Sequence, residues 1–446
     1  MAVHLRCSPG YVTIDPQEPA VPETADKRRE TDRAINTVWR LEQARVIAGL
    51  TRMVRDISLA EELAQEALVA ALRSWPETGV PRNPGAWLMQ AAKRKAIDLF
   101  RHRKMAAGKL EEVGRIMEDE VPDTETSLHD QLDDDVGDDL LRLIFTSCHP
   151  ILPAESRVAL TLRLIGGLTT DEIARAFLAQ DSAIGQRIVR AKRTIAEAGV
   201  PFEVPRGKER EERVASVLGV LYLIFNEGYS ATAGEDWMRP QLCEEALRMG
   251  RTLAQLMPEE PEVHGLLALM EIQHSRVAAR TNAKGEPVLL LEQNRALWDQ
   301  LLIRRGLDGL SRAQRLGGIA GPYTLQAAIA ACHARERKAN ETDWGQIAAL
   351  YSLLNQVTPS PVIELNRAVA VSMSEGPEAA LPLVDALLNS AVLENYHLLY
   401  GVRGDLLRKL GRHGEANEEF RRAAALTRNE REKAYLLTRA AEEGEP

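Results

Sequence analysis

The sequence predicts an all-α protein. Apolar residues recur at three- and four-residue steps through most segments, and Ala and Leu outnumber the β-branched residues that favour strands. No run of alternating β-branched residues marks a sheet. At 446 residues the chain exceeds a single ordinary core, so several domains are expected. The pattern divides it into two small helical units and a large helical extension.

Composition narrows the function classes. A net charge of -9 argues against a protein that coats nucleic acid indiscriminately, yet leaves room for local basic surfaces. Cys7, Cys148, Cys243 and Cys332 lie far apart and form no Cys-x-x-Cys pair, so neither a disulfide framework nor zinc is suggested. Cys148-His149 has no second Cys or His at ligand spacing. The N-terminus has no apolar leader and no stretch reaches the length of a membrane span, which predicts a cytoplasmic protein without membrane contact. Phosphate-loop, His-Glu-x-x-His and nucleophile-elbow motifs are all missing. No enzyme and no cofactor is therefore expected.

Residues 1–31 are proline-rich and poor in large apolar groups, and read as a flexible tail. A first unit is expected over 32–104. Its apolar positions run from Ile35 to Leu72, with a break at Asp56 and Ser58 and an end at Trp75-Pro76. Glu61, Glu62, Gln65 and Glu66 give the second of its helices an acidic face suited to a protein partner. Asn83-Pro-Gly85 then starts a third helix. Leu88, Ala92, Ala96 and Leu99 line one side of it, and Lys93, Arg94, Arg101, Arg103 and Lys104 make it strongly basic. Cations on a rigid helix are what phosphate contacts require. The simpler reading is a solvated basic face.

Residues 105–139 contain an acidic block: from Glu118 to Asp139 there are eleven carboxylates and no Lys or Arg, which predicts an extended linker. A second unit is expected over 140–200. It contains a helix from Ala154 to Leu164, a Gly166-Gly167 break, a Thr169 cap, a short helix to Phe177, a turn, and a longer basic helix from Ser182. Short helix, turn and longer helix is the helix-turn-helix arrangement. In it Ser182, Ala183, Gln186, Arg187 and Arg190 face DNA, while Ile184, Ile188 and Ala191 pack inward. A plain helical hairpin is the alternative.

The chain carries, in order, Ala60-Glu-Glu-Leu-Ala-Gln-Glu-Ala-Leu68, Ala86-Trp-Leu-Met-Gln-Ala-Ala-Lys-Arg-Lys-Ala-Ile-Asp98, Gly167-Leu-Thr-Thr-Asp-Glu-Ile-Ala174 and Arg187-Ile-Val-Arg-Ala-Lys192. Together these stretches resemble the extracytoplasmic-function group of sigma-70-type RNA polymerase sigma factors. The resemblance spans roughly residues 34–200. It implies that Glu61, Glu62, Gln65 and Glu66 dock on the clamp of the polymerase largest subunit. It also implies that the segment from Pro81 to Arg103, with Lys93, Arg94, Arg101 and Arg103, melts and reads a -10 promoter element. Ser182 to Arg193, including Arg193 itself, would read a -35 element. Trp87 is an aromatic at the melting segment, although its neighbours favour a core position. The chain departs from the family at Ala183-Ile-Gly-Gln, where Thr-Val-Lys-Ser is usual, so promoter sequence does not transfer. The alternative function is a one-component helix-turn-helix regulator with a sensor domain.

Residues 206–446 exceed what a minimal factor of this group needs. Val214 to Phe225 reads as a buried helix ended at Asn226-Glu-Gly228 by a left-handed glycine cap. Leu221-Tyr-Leu-Ile-Phe-Asn-Glu-Gly-Tyr229 resembles a signature of the subgroup with a large helical extension. A ligand pocket using Tyr222, Glu227 and Tyr229 is the less favoured reading. Further on, Glu378-Ala-x-x-x-Leu383-x-x-Ala386 recurs as Glu415-Ala-x-x-x-Phe420-x-x-Ala423, and a degenerate pair is expected over Pro322 to Leu354. These resemble tetratricopeptide repeats, which stack into a concave surface suited to a protein or peptide ligand. Thr427-Arg-Asn429 is expected to cap a final helix. The extension is expected to regulate the first two units in place of a separate anti-sigma protein.

Overall fold

The computed structural model describes residues 23–107, 128–177, 179–230, 238–282 and 287–441. Among the described residues the fold is all-α, with a lone β-bridge between Thr281 and Pro287. No helix among them is long and apolar enough to cross a membrane.

The first unit is a bundle of α1 (Glu23–Val54), α2 (Ile57–Thr78) and α3 (Pro84–Ala107). Asp56 caps α2 by accepting from the Ser58 and Leu59 amides, and Asn83 caps α3 through the Ala86 amide at 3.0 Å. Helix α1 begins at Glu23, inside the stretch read as a tail; residues 1–22 lie outside the described residues. Helix α2 does not stop at Pro76 but carries it through to Thr78. Trp75 explains this: it is 1 % exposed and meets the edge of the Trp87 ring at 5.2 Å, so burial holds the last turn against the loss of one amide. Trp87 itself packs against the core.

The acidic block is not extended throughout. Residues 108–127 lie outside the described residues, but α4 (Leu128–Ser147) takes in the stretch from Leu128 to Asp139. Leu140, Leu143, Ile144 and Phe145 bury one side of α4. Asp139 is neutralised by Arg142 at 2.6 Å and by Arg52 of α1 at 3.2 Å, which offsets part of the block's self-repulsion at its C-terminal end.

The second unit continues with α5 (Ala154–Thr161), a π-helical turn (Leu162–Gly166), α6 (Thr170–Ala176) and α7 (Asp181–Glu197). The expected straight helix to Leu164 thus changes pitch after Thr161. Gly167 follows in the left-handed region at φ +76°, and Thr169 and Glu172 form a complete capping box on α6.

The extension opens with α8 (Gly207–Tyr229), α9 (Pro240–Leu256), α10 (Pro261–His274) and α11 (Gln300–Arg315). A single hydrophobic cluster joins these to both preceding units, from Ile35 to Ala331. Three helix pairs follow: α12 (Pro322–Arg335) with α13 (Trp344–Val357), α14 (Pro361–Ser374) with α15 (Pro377–Leu387), and α16 (His397–Lys409) with α17 (His413–Leu426). Asn429 caps α18 (Glu430–Ala441) by accepting from the Arg431 and Glu432 amides.

Gly228 is not a left-handed cap. It lies within α8, and a Cβ there would sit 2.7 Å from the Cys243 amide nitrogen and 2.9 Å from the Arg239 carbonyl oxygen. Close helix approach, rather than backbone conformation, requires glycine. Gly228→Ala is expected to destabilise the protein by about 1–3 kcal/mol through overpacking, read as a lowered denaturation midpoint. A midpoint equal to the parent's contradicts the close approach.

Candidate nucleic-acid and partner interface

The sequence places the candidate groups on three helices, and the structure sets them in different environments. On α2, Glu62, Gln65 and Glu66 are exposed, with Glu66 paired to Lys95 of α3 at 3.5 Å. Glu61 is different: it is only 7 % exposed. Its Oε1 accepts from Arg163 Nε at 2.7 Å and from Gln65 Nε2 at 3.3 Å, and its Oε2 is paired with Lys192 Nζ of α7. Burial pushes the Glu61 carboxyl upward, but Lys192 and then Arg163 outweigh it and hold the group below the usual carboxylate range.

Around this triad the first two units are clasped. Arg40 of α1 pairs with Glu172 of α6 at 2.5 Å, and Gln43 Nε2 donates to the Arg163 carbonyl oxygen at 3.4 Å. Arg163 also donates to the Leu168 carbonyl oxygen at 3.2 Å, which fixes the guanidinium beneath the Gly167 turn. The extension reaches the same place. Arg248 of α9 donates to the Ile165 and Gly166 carbonyl oxygens at 2.9 and 3.2 Å, groups that belong to the π-helical turn.

On α3, Lys93 is half-buried while Arg94 and Arg101 are exposed, Arg101 lying 4.0 Å from Asp98. The Arg103 side chain lies outside the described residues. On α7, Ile184, Ile188, Ala191 and Ile195 are buried, which turns Ser182, Ala183, Gln186, Arg190 and Arg193 outward. Arg187 is partly covered and pairs with Glu155 at 2.8 Å. Arg190 donates to Gln186 at 3.0 Å and Arg193 to Glu197 at 2.6 Å, so these cations are held along the helix surface. The two basic faces belong to different helices, α3 and α7. Among the described residues no group of three or more His, Cys, Asp or Glu could hold a metal. Cys148 is buried and 3.2 Å from the Thr161 hydroxyl; burial raises its thiol pKa.

Sequence reasoning missed Arg40, Arg163, Glu172 and Lys192 as partners. Arg163 and Lys192 lie 102 and 131 positions from Glu61, and nothing in a local pattern announces such pairings. The only local hint is that Lys192 adjoins the apolar stripe of α7 rather than its outer face.

Comparison with known proteins agrees with the order of units. Residues 38–105 match the family described as Sigma-70 region 2, and residues 142–195 match Sigma-70, region 4. Residues 213–314 match a family of unknown function, DUF6596. An uncharacterized protein of Rhizobium meliloti is 46% identical over 391 residues, covering 87% of this chain and 91% of its own length. A protein of Mycobacterium tuberculosis named as probable ECF RNA polymerase sigma factor SigI is 30% identical over 176 residues. That match spans 40% of this chain and 59% of the relative.

Removing both cations, as in Arg163→Met with Lys192→Met, leaves Glu61 buried without a counter-charge. This is expected to cost the clasped packing about 3–5 kcal/mol and to enlarge the radius of gyration in small-angle X-ray scattering. Adding Glu61→Met should restore the compact form, and an unchanged radius in the double variant rules out the triad as the clasp. Because the Glu61 pKa is lowered in the fold, its contribution is present above its unfolded value near 4.5 and is lost as pH falls through the lower folded value.

Proposed function

Since this chain is an extracytoplasmic-function sigma factor with a C-terminal extension, we propose that it brings core RNA polymerase to a two-element promoter and helps open the duplex, under restraint by that extension. Sigma factors of this family are initiation factors that bind core polymerase and promoter DNA and catalyse nothing themselves. In the proposed division of labour, the exposed Glu62, Gln65 and Glu66 of α2, with Glu61 once released, dock on the clamp of the largest subunit. The basic face of α3 takes the -10 element, with Lys93, Arg94, Arg101 and Arg103 on the backbone of the opened strand. Helix α7 acts as the recognition helix of a helix-turn-helix at the -35 element, through Ser182, Ala183, Gln186, Arg187, Arg190 and Arg193.

The observation that carries the regulatory part is the burial of Glu61 between Arg163 and Lys192 while Arg248 of the extension holds the π-helical turn beneath them. Promoter elements about 25 base pairs apart are separated by on the order of 80 Å along B-DNA. In this reading the clasped form is the resting one, and the clasp opens on the polymerase so that α3 and α7 reach their separate elements. The helix pairs after α11 are read as tetratricopeptide-like, and a cytoplasmic location follows from the proposed partner.

Run-off transcription with core enzyme tests the assignment. Charge reversal by Glu62→Lys with Glu66→Lys is expected to abolish co-elution with core enzyme while leaving the circular dichroism unchanged; intact co-elution rejects the docking face. Arg190→Ala should cost about 1–3 kcal/mol in promoter-dependent initiation if it contacts bases. Arg248→Met should raise initiation by full-length protein, and parental output from that variant removes the restraint from this reading.

A further inference from the structure

A cavity of about 480 Å³ opens within the extension, where α8 and α10 meet α12, α13 and α14. Its walls are aromatic and apolar on one side, with Tyr222, Phe225 and Tyr229 from α8 and Tyr351 from α13. Small-molecule sites have this size and this mixture of flat apolar walls with a few polar groups. Glu227 is not among the lining residues; it pairs instead with Arg239.

Among the described residues the charged lining has one sign: Arg276 borders the cavity and no Asp or Glu does. The Arg276 guanidinium donates to the Tyr229 hydroxyl and to Gln273 Oε1, lies 5.8 Å from the Tyr229 ring centre, and has no carboxylate within 4.0 Å among the described residues. The N-terminus of α14 also borders the space through Ser360 and Val362, adding the positive end of a 14-residue helix. His333 lines it as well, and its Nδ1 is buried with no hydrogen-bond partner. Burial first, then Arg276 and Arg295, push His333 down to about 4, so its ring is neutral at pH 7 and able to donate one hydrogen bond. An uncompensated cation, a helix N-terminus and a spare imidazole facing tyrosine walls make a place for negative charge on a flat body.

We propose that this cavity binds a small aromatic anion, its acidic group held near Arg276 and its ring against Tyr222, Tyr229 and Tyr351. The anionic group is a carboxylate or a phosphate monoester, chemistries that Arg276 accepts alike. Binding is a property of the folded extension and needs no polymerase, so a direct titration reads it apart from the regulatory proposal.

The test is isothermal titration calorimetry of the full-length protein with benzoate and with phenyl phosphate, against benzamide and benzylamine as neutral and cationic counterparts of similar shape. A saturable one-to-one isotherm is expected for at least one anion, with benzamide and benzylamine at least about tenfold weaker, the loss of one charge-assisted hydrogen-bonded contact. Whichever anion binds more tightly identifies the head group. Arg276→Gln should weaken binding at least tenfold, and Arg276→Lys should retain the preference for anions. Should Arg276→Gln fail to fold, Ile363→Trp, which fills the cavity wall, should abolish binding while retaining the parental circular dichroism and a cooperative melt. No saturable binding of either anion, equal affinity for benzamide, or unchanged affinity in Ile363→Trp overturns the proposal.

Discussion

One buried carboxylate ties the first helical unit to the second. Glu61 sits on a helix whose other buried residues, among them Leu63, Ala67 and Trp75, are apolar, and a lone charge at 7 % exposure would be expelled or neutralised. It stays charged because Arg163 and Lys192 converge on its two oxygens from a π-helical turn and a neighbouring helix. Such a pair contributes little net stability relative to an apolar replacement, since desolvation of the ions offsets their attraction. What it does supply is a switch-like property. The packing is tolerable only while all three groups are together, so anything that separates them exposes the Glu61 carboxylate and its two cations at the same moment.

The way the extension grips this region follows from local backbone chemistry. A π-helical turn breaks the regular hydrogen-bond ladder, and Arg248 donates to the Ile165 and Gly166 carbonyl oxygens of that turn. Arg213 of α8, 4 % exposed, donates to the Phe145 carbonyl oxygen of α4, and Ser216 donates to that of Cys148 at 2.6 Å. These are contacts of an arginine or hydroxyl with main chain, so they read shape rather than side-chain identity. They fit a surface that holds one particular conformation of the second unit.

What the sequence made legible was periodicity and what hid was distance. The inward stripe Ile184, Ile188 and Ala191 of α7 is set by a 3.6-residue repeat, and so is the outward set Ser182, Ala183, Gln186 and Arg190. Asp56, Asn83, Thr169 and Asn429 announce helix starts through side chains that bond within three residues. Pro76 misleads because a tryptophan pair outweighs the local penalty. The acidic block misleads because Asp139 finds cations in α1 and in its own helix. Gly228 was legible as a constrained position but not in its cause, which is a neighbouring helix backbone. Glu61 belonged to the acidic face by spacing, and its inward turn became visible only with partners more than a hundred positions away.

Helix α8 ties the two proposals into one mechanical question. Its N-terminal half carries Arg213 and Ser216 against the second unit, and its C-terminal half carries Tyr222, Phe225 and Tyr229 on the cavity wall. A ligand shifts an equilibrium only by the difference in its affinity for the two states. For a cavity in the extension to influence the clasp, opening must therefore alter the cavity's shape or charge, and α8 is the rigid element common to both. Gly228, pressed against the Cys243 amide, fixes α8 to α9, and α9 carries Arg248 to the π-helical turn. The same helix pair thus borders both the tyrosine wall and the π-helical turn, and any factor by which a cavity ligand alters release of the clasp is the factor by which release alters the cavity's affinity.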